Sequence, residues 1–397
     1  MRRRRFLQAT GLAGASALAG CTGTDLFEVR SSATRNPPVP DSRPNAVYYP
    51  SHVEGMEMAG TSGKAATDET GTTNGSDGRE GPNESGGMEG SNGSSETAST
   101  AGTDEYAFAL MYSYPHRFWT VTGSERSKTA LQDADSLHLM ASVWHPASGT
   151  VLPDTGLSVE ITQDGDLVSQ EVIYPMLSQG MGFHYGANFE LPEEGTYTAA
   201  LSVGAMSSRR TGVFQGLFSE PRFAEIDFEY RQSNLEEISF RVLEEKAGTK
   251  GAIEPMDMPM LPHSYAPTRK ELPGRVLGEE TTGDATLLAT ILDRSPEGVG
   301  KSGPYLALSA RTPYNRLVIP SMALSGIQKR GSETRFEGEL LRTLDPDLGY
   351  HYGAGLEGVR SGDELAIAVD TLPQVARHEG YETAFLDGMG EVSFTVP

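Results

Sequence analysis

The sequence predicts an all-β protein, two β-sandwich domains in tandem behind a disordered tether rich in Gly, Ser and Thr, and three observations support this. From Asp104 onward, short alternating apolar and polar runs are broken by Gly, Pro and Asp, as in Tyr106–Met111, Leu137–Val143, Leu157–Thr162 and Thr196–Val203, the pattern of antiparallel sandwich strands. The sequence also repeats itself. Shifting it by 167 residues superposes Leu139 on Leu306, Ser142 on Ser309, Pro153 on Pro320, and His184-Tyr185-Gly186-Ala187 on His351-Tyr352-Gly353-Ala354. Finally, residues 60–104 hold almost only Gly, Ser, Thr, Asn, Glu, Asp and Ala, too little apolar surface to offset the entropy of ordering.

Taken in order, residues 1–21 read as an export signal. Arg3-Arg4-Arg5-Phe6-Leu7 resembles a twin-arginine signal, and Leu18-Ala19-Gly20-Cys21 resembles a lipobox with Cys21 as the lipidated residue. The expected protein is lipid-anchored on the cell membrane and faces the exterior. Residues 22–104 form an N-terminal segment and flexible tether carrying Asn-x-Ser sequons at Asn74, Asn83 and Asn92. The first sandwich is expected over 105–232, a proline-rich connector over 233–283 and the second sandwich over 284–397. Each half closes on an alternating strand, Phe223–Tyr230 and Glu391–Val396. Helical periodicity is confined to the charged run Asn234–Glu245.

Composition narrows the partners. With 54 acidic against 32 basic residues in 397, the net charge is −22, which opposes a nucleic-acid partner and resembles the acidic surfaces of proteins from extreme halophiles. The single cysteine, Cys21, excludes an intrachain disulfide framework, a cysteine-rich zinc or iron–sulfur site, and the thiolate of a blue-copper centre. No later run approaches the roughly 18 apolar residues of a membrane span. No nucleophile–base set, phosphate loop or carboxylate pair stands out, so the protein is not read as an enzyme.

What remains is a set of His and Met residues. On the strand Leu137–Val143, period-two alternation puts His138 and Met140 on one face and Leu137, Leu139 and Ala141 on the other. Pro175-Met176 and Phe183-His184-Tyr185-Gly186 follow downstream. Two satellite clusters are Tyr48-Tyr49-Pro50-Ser51-His52 with Met56 and Met58, and Met256-Asp257-Met258-Pro259-Met260 with His263. Either could scoop Cu(I) at a surface or simply fill a seam between domains. Pro115-His116-Arg117-Phe118-Trp119 reads as a strand-end turn with its aromatics packed inward.

Leu137-His138-Leu139-Met140-Ala141-Ser142-Val143, Leu152-Pro153, Pro175-Met176 and His184-Tyr185-Gly186-Ala187-Asn188 resemble, in order, the motifs of the periplasmic iron-uptake family, often called the Fe2+ transport protein family. The resemblance implies immunoglobulin-like sandwiches that pair as dimers, bind copper and support iron uptake beside an iron permease. It places metal ligands at His138, Met176 and His184. Two positions depart from the pattern, since Met140 stands where the family has Glu and Arg209-Arg210 where it has Arg-His. With the shift taken as 168 there, Arg209-Arg210 corresponds to Arg377-His378. The second half in turn has Tyr305 for His138, Ala307 for Met140 and Thr343 for Met176. The losses are complementary, which predicts an intramolecular pseudo-dimer with one composite site of His138, Met140, Met176 and His184 closed by His378, while Tyr350-His351-Tyr352-Gly353 survives only as a structural turn. Two imidazoles and two thioethers favour Cu(I), while the family association points to iron. The rival reading is a cell-surface structural or adhesion protein whose metal site has decayed.

Overall fold

Alternation places Leu137, Leu139, Ala141 and Val143 in one core with Val159, Ile161, Leu201 and Phe228, and that burial holds the first pair of sheets together. The computed structural model describes residues 36–62 and 105–397. The export signal, Cys21 and nearly all of the tether lie outside those residues. Every described residue belongs to one compact unit, Ser32–Pro397, and the expected all-β sandwich class is what it shows. No described helix is long and apolar enough to cross a membrane.

The first half pairs a nine-stranded sheet with a four-stranded one. The larger runs, edge to edge, Glu57–Ser62, Ala107–Ser113, Leu137–His145, Gly182–Phe189, Tyr174–Ser178, Ala376–Arg377, Phe118–Thr122 and Glu125–Thr129, with Thr150–Val151 beside Leu137–His145. The smaller runs Arg222–Tyr230, Gly195–Val203, Ser158–Gln163, Asp166–Val172. The sheet therefore reaches back across the tether to Glu57–Ser62, which caps the exposed edge of Ala107–Ser113. The expected helix shrinks to Gln232–Glu237, and part of its charged run becomes the strand Phe240–Val242, paired with His52–Glu54.

The second half repeats this plan around one long strand, Glu333–Asp345. Its first part pairs with Ala323–Arg330 and its last residues with Gly349–Gly355. One continuous strand thus serves both layers, where the first half breaks at Ile173 between Asp166–Val172 and Tyr174–Ser178.

The halves exchange short strands. Ala376–Arg377 enters the first half parallel to Tyr174–Ser178, and Arg209–Arg210 enters the second parallel to Glu333–Asp345. Asp154 and Ser321, 167 residues apart, meet at this pseudo-two-fold seam through a 3.1 Å hydrogen bond from Ser321 Oγ, and both take positive φ. The exchange also corrects the expected offset of 168. Met176 pairs with Ala376 and Thr343 with Arg209, so the repeat holds its 167-residue spacing. Thr211, not Arg210, occupies the place of His378, each donating its backbone N–H to the matching carbonyl, of Leu344 or Leu177.

Candidate metal centre

Four neighbouring strands bring the predicted ligands together. Across the ladder His138 faces Asn188, Met140 faces Gly186, Met176 faces His184, and Ala376 faces Met176. Residues directly opposite one another share a face of a sheet, so His138, Met140, His184 and Met176 all project to the same side. His378 follows Ala376 by two residues and turns to that side as well. The ligand atoms of His138, His184 and His378 lie within 4.8 Å of one another. Met176 is fully buried against Phe118 and Ala376. Met140 is buried, and it and His378 both line one cleft.

The rings are held for coordination through Nε2. His138 Nδ1 is 2.7 Å from Asn188 Oδ1, and His184 Nδ1 is 3.1 Å from the Gly182 carbonyl. Protonated Nδ1 atoms donating to these oxygens leave lone pairs on Nε2, the arrangement that outer-sphere partners impose on metal-binding histidines. The Nε2 atoms of His138, His184 and His378 are all buried without a hydrogen-bond partner. Unpartnered buried polar atoms are rare, and three facing one another fit an ion. Burial also keeps the rings neutral: it lowers His184 to about 4, and with help from neighbouring histidines holds His138 and His378 well below the usual range.

Glycine at position 186 makes room for this. A Cβ there would lie 2.9 Å from His138 Nε2 and 3.1 Å from Met176 Sδ. The second half keeps the same crossing with other chemistry, as a Cβ on Gly353 would lie against the Tyr305 hydroxyl. Where the first half leaves three imidazole nitrogens unpartnered, the second half holds a guanidinium. One Arg209 amine donates to Tyr305 Oη at 2.8 Å, Thr343 Oγ1 at 2.8 Å and the Gly353 carbonyl at 2.9 Å. Tyr305 Oη in turn lies 2.9 Å from His351 Nε2, so the imidazole nitrogen orphaned at His184 is satisfied at His351. His351 sits within the strand Gly349–Gly355 and not in a turn.

Two neighbours, His116 and Glu54, were not legible as site residues, and His52 stood only in a satellite cluster. The His116 ring centroid is 4.5 Å from that of His138 and 5.1 Å from that of His378, while Phe118 and Trp119 pack inward as expected. Glu54 Oε1 is 2.5 Å from His116 Nε2 and 3.4 Å from His52 Nε2. The satellite clusters divide. Met56 and Met256 line the cleft, Met260 is exposed, and His263 Nε2 is 2.7 Å from the Met256 carbonyl.

Fold and site define a tandem β-sandwich protein with a buried three-histidine centre shared between its halves. Residues 116–212 and 270–395 match the family described as Domain of unknown function (DUF7350), and the chain belongs to that family. No curated protein matches it. Among solved structures it is similar to FetP of uropathogenic E. coli strain F11, with 17% identity, 32% of this chain and 89% of that chain covered, and a TM-score of 0.26. A copper-bound glutamate-to-glutamine variant of FetP gives 16%, 32%, 90% and 0.24.

Proposed function

We propose that the protein is an extracytoplasmic, lipid-anchored metal-binding protein, not an enzyme, that supports iron uptake across the membrane beside an iron permease. The observation that carries the metal-binding reading is the trio of buried, unpartnered Nε2 atoms at His138, His184 and His378, set against the satisfied His351 of the other half. Three neutral imidazoles with the Met176 thioether beside them are softer donors than a carboxylate set, so copper, as Cu(I), is the favoured occupant and iron the alternative. Lipid anchoring rests on Leu18-Ala19-Gly20-Cys21, and the uptake role on the His138 to Asn188 motif series.

The test is metal content after separate incubation of the full chain with Cu(I), Cu(II) and Fe(II) in high salt, followed by desalting. About one copper per chain with little iron supports the reading. Iron retained in preference to copper would reverse the choice of metal. No retained metal would leave the structural or adhesion reading, in which the pocket has lost its ion.

A further inference from the structure

The solvent-open cleft that His378 lines is bordered by four methionines from four separate stretches of chain. Met56 comes from the segment before the tether, and Met140 from the strand that carries His138. Met181 comes from the turn between Tyr174–Ser178 and Gly182–Phe189, and Met256 from the connector between the halves. Two of these positions are fixed by their backbones. Gly55, beside Met56, donates its N–H to the Ser239 carbonyl at 2.7 Å, and its own carbonyl accepts from Ser113 Oγ at 2.7 Å. Met256 donates its N–H to the Gly180 carbonyl at 2.9 Å, and its carbonyl lies 2.7 Å from His263 Nε2. Glycine at 180 lets the end of the Met256 side chain settle there, because a Cβ at that position would lie 3.2 Å from the Met256 methyl. Met140 and Met181 are 3% and 4% exposed, while Met56 and Met256 are half-buried. A methionine whose task is to fill a gap closes it against other side chains, whereas these four border open space. The other imidazoles and carboxylates around the cleft have protein partners. His52 Nδ1 is 2.9 Å from Ser51 Oγ, His116 bonds the Tyr114 carbonyl and Glu54 Oε1, and Glu379 accepts from Ser51 and Arg117. The thioethers need no hydrogen-bond partner, and they are the soft donors that the cleft offers to an ion.

We propose that Met56, Met140, Met181 and Met256 line the entry path of the three-histidine centre, a thioether vestibule that admits a soft monovalent ion and passes it to His378. This rests on the Cu(I) reading given above and extends it to how the ion arrives. Neutral thioethers bind Cu(I) and Ag(I) but are poor ligands for harder divalent ions, so the cleft sorts ions before the imidazoles meet them. Met140 joins the path to the centre, since it stands two residues from His138 on the same face of one strand.

Ag(I), soft and redox-inert, serves as the probe, read by NMR on full chain carrying carbon-13 at the methionine methyls. The unaltered chain and His184→Ala are both titrated, with Met56→Leu and Met256→Leu assigning the two resonances. The Met56 and Met256 methyls should shift in both proteins, because the vestibule does not require an intact centre. A second measurement follows Cu(I) passing from a coloured chelator into the full chain. Loading should slow several-fold in the double variant Met56→Leu with Met256→Leu, while Cu(I) affinity at equilibrium holds, since leucine keeps the volume and removes the sulfur. That unchanged affinity also shows that the variant folds. Methyl shifts in a chain that retains no Cu(I) at its histidines would support the soft-ion cleft while removing the function proposed above. Methyls unmoved by Ag(I), or loading as fast in the double variant as in the unaltered chain, would overturn the vestibule and leave the centre itself to be judged on its Cu(I) affinity.

Discussion

Gly186 decides how closely His138 and Met176 approach, so it is where a single methyl group is most informative. Gly186→Ala forces His138 Nε2 and Met176 Sδ aside, and the expected outcome is metal affinity at least tenfold weaker with secondary structure intact, read by Cu(I) competition and circular dichroism. Gly353→Ala meets a tighter wall, the Tyr305 hydroxyl and the Leu306 carbonyl. It should leave metal affinity unchanged and lower stability by about 1–3 kcal/mol, the usual range for overpacking, read by urea unfolding. The histidines also set a pH dependence. Burial holds His184 and His351 at about 4, whereas an unfolded chain protonates its histidines near 6.5. Between those values the unfolded state binds more protons, so the stability of the metal-free protein is full above about pH 6.5 and declines as pH falls toward 4. At about 1.4 kcal/mol per unit, each such histidine contributes roughly 2 kcal/mol of loss between pH 7.5 and 5. His351→Gln should shallow that slope in urea titrations at a series of pH values.

At the scale of elements, the exchanged strand Ala376–Arg377 is what carries His378 to the first half. Arg377 is fully buried, and its guanidinium donates to the Ala384 and Pro373 carbonyls and stands over the Phe385 ring at 5.6 Å. Burial lowers it to about 9. Arg377→Ala strips two carbonyls of their donor and loosens the loop on which His378 sits. We expect about 3 kcal/mol of destabilisation and weaker metal binding together, by unfolding and Cu(I) titration. The strands that hold His138, Met176 and His184 were legible because alternation and the His-Tyr-Gly motif are local signals. His378 was legible only through the repeat, and one residue out of step, because sequence similarity around Arg377 aligned Arg with Arg where backbone pairing aligns Thr211 with His378. His116 and Glu54 were not legible as partners of the site, and His52 was legible only as a member of a separate surface cluster. Glu54 and His116 are separated by the tether, and tertiary contacts such as the pairing of Glu57–Ser62 with Ala107–Ser113 and the Ser113 Oγ bond to the Gly55 carbonyl bring their neighbourhoods together.

Across the whole molecule, one pseudo-two-fold plan carries two different interiors. Asp154 ties the halves at the seam. Its buried carboxylate accepts from Tyr350 Oη at 2.7 Å, Arg342 at 3.1 Å and Ser321 Oγ at 3.1 Å. Asp154→Ala leaves those three donors unmatched, and should lower stability by about 3 kcal/mol while Cu(I) stoichiometry holds. The interiors differ in what fills them, since the Arg209 guanidinium occupies in the second half the space that the three orphaned imidazole nitrogens line in the first. That explains why the two His-Tyr-Gly motifs, identical in sequence, have different roles. Their context on the neighbouring strands, His138 and Met176 against Tyr305 and Thr343, sets the chemistry.

The most direct measurement is Cu(I) stoichiometry and affinity for the full chain and for His184→Ala, His351→Ala and His378→Ala in the same salt. The asymmetric centre predicts about one Cu(I) in the unaltered chain and in His351→Ala, none in His184→Ala, and markedly weaker binding in His378→Ala. Equal losses in His184→Ala and His351→Ala, or full-strength binding in His378→Ala, would contradict a single centre built from both halves.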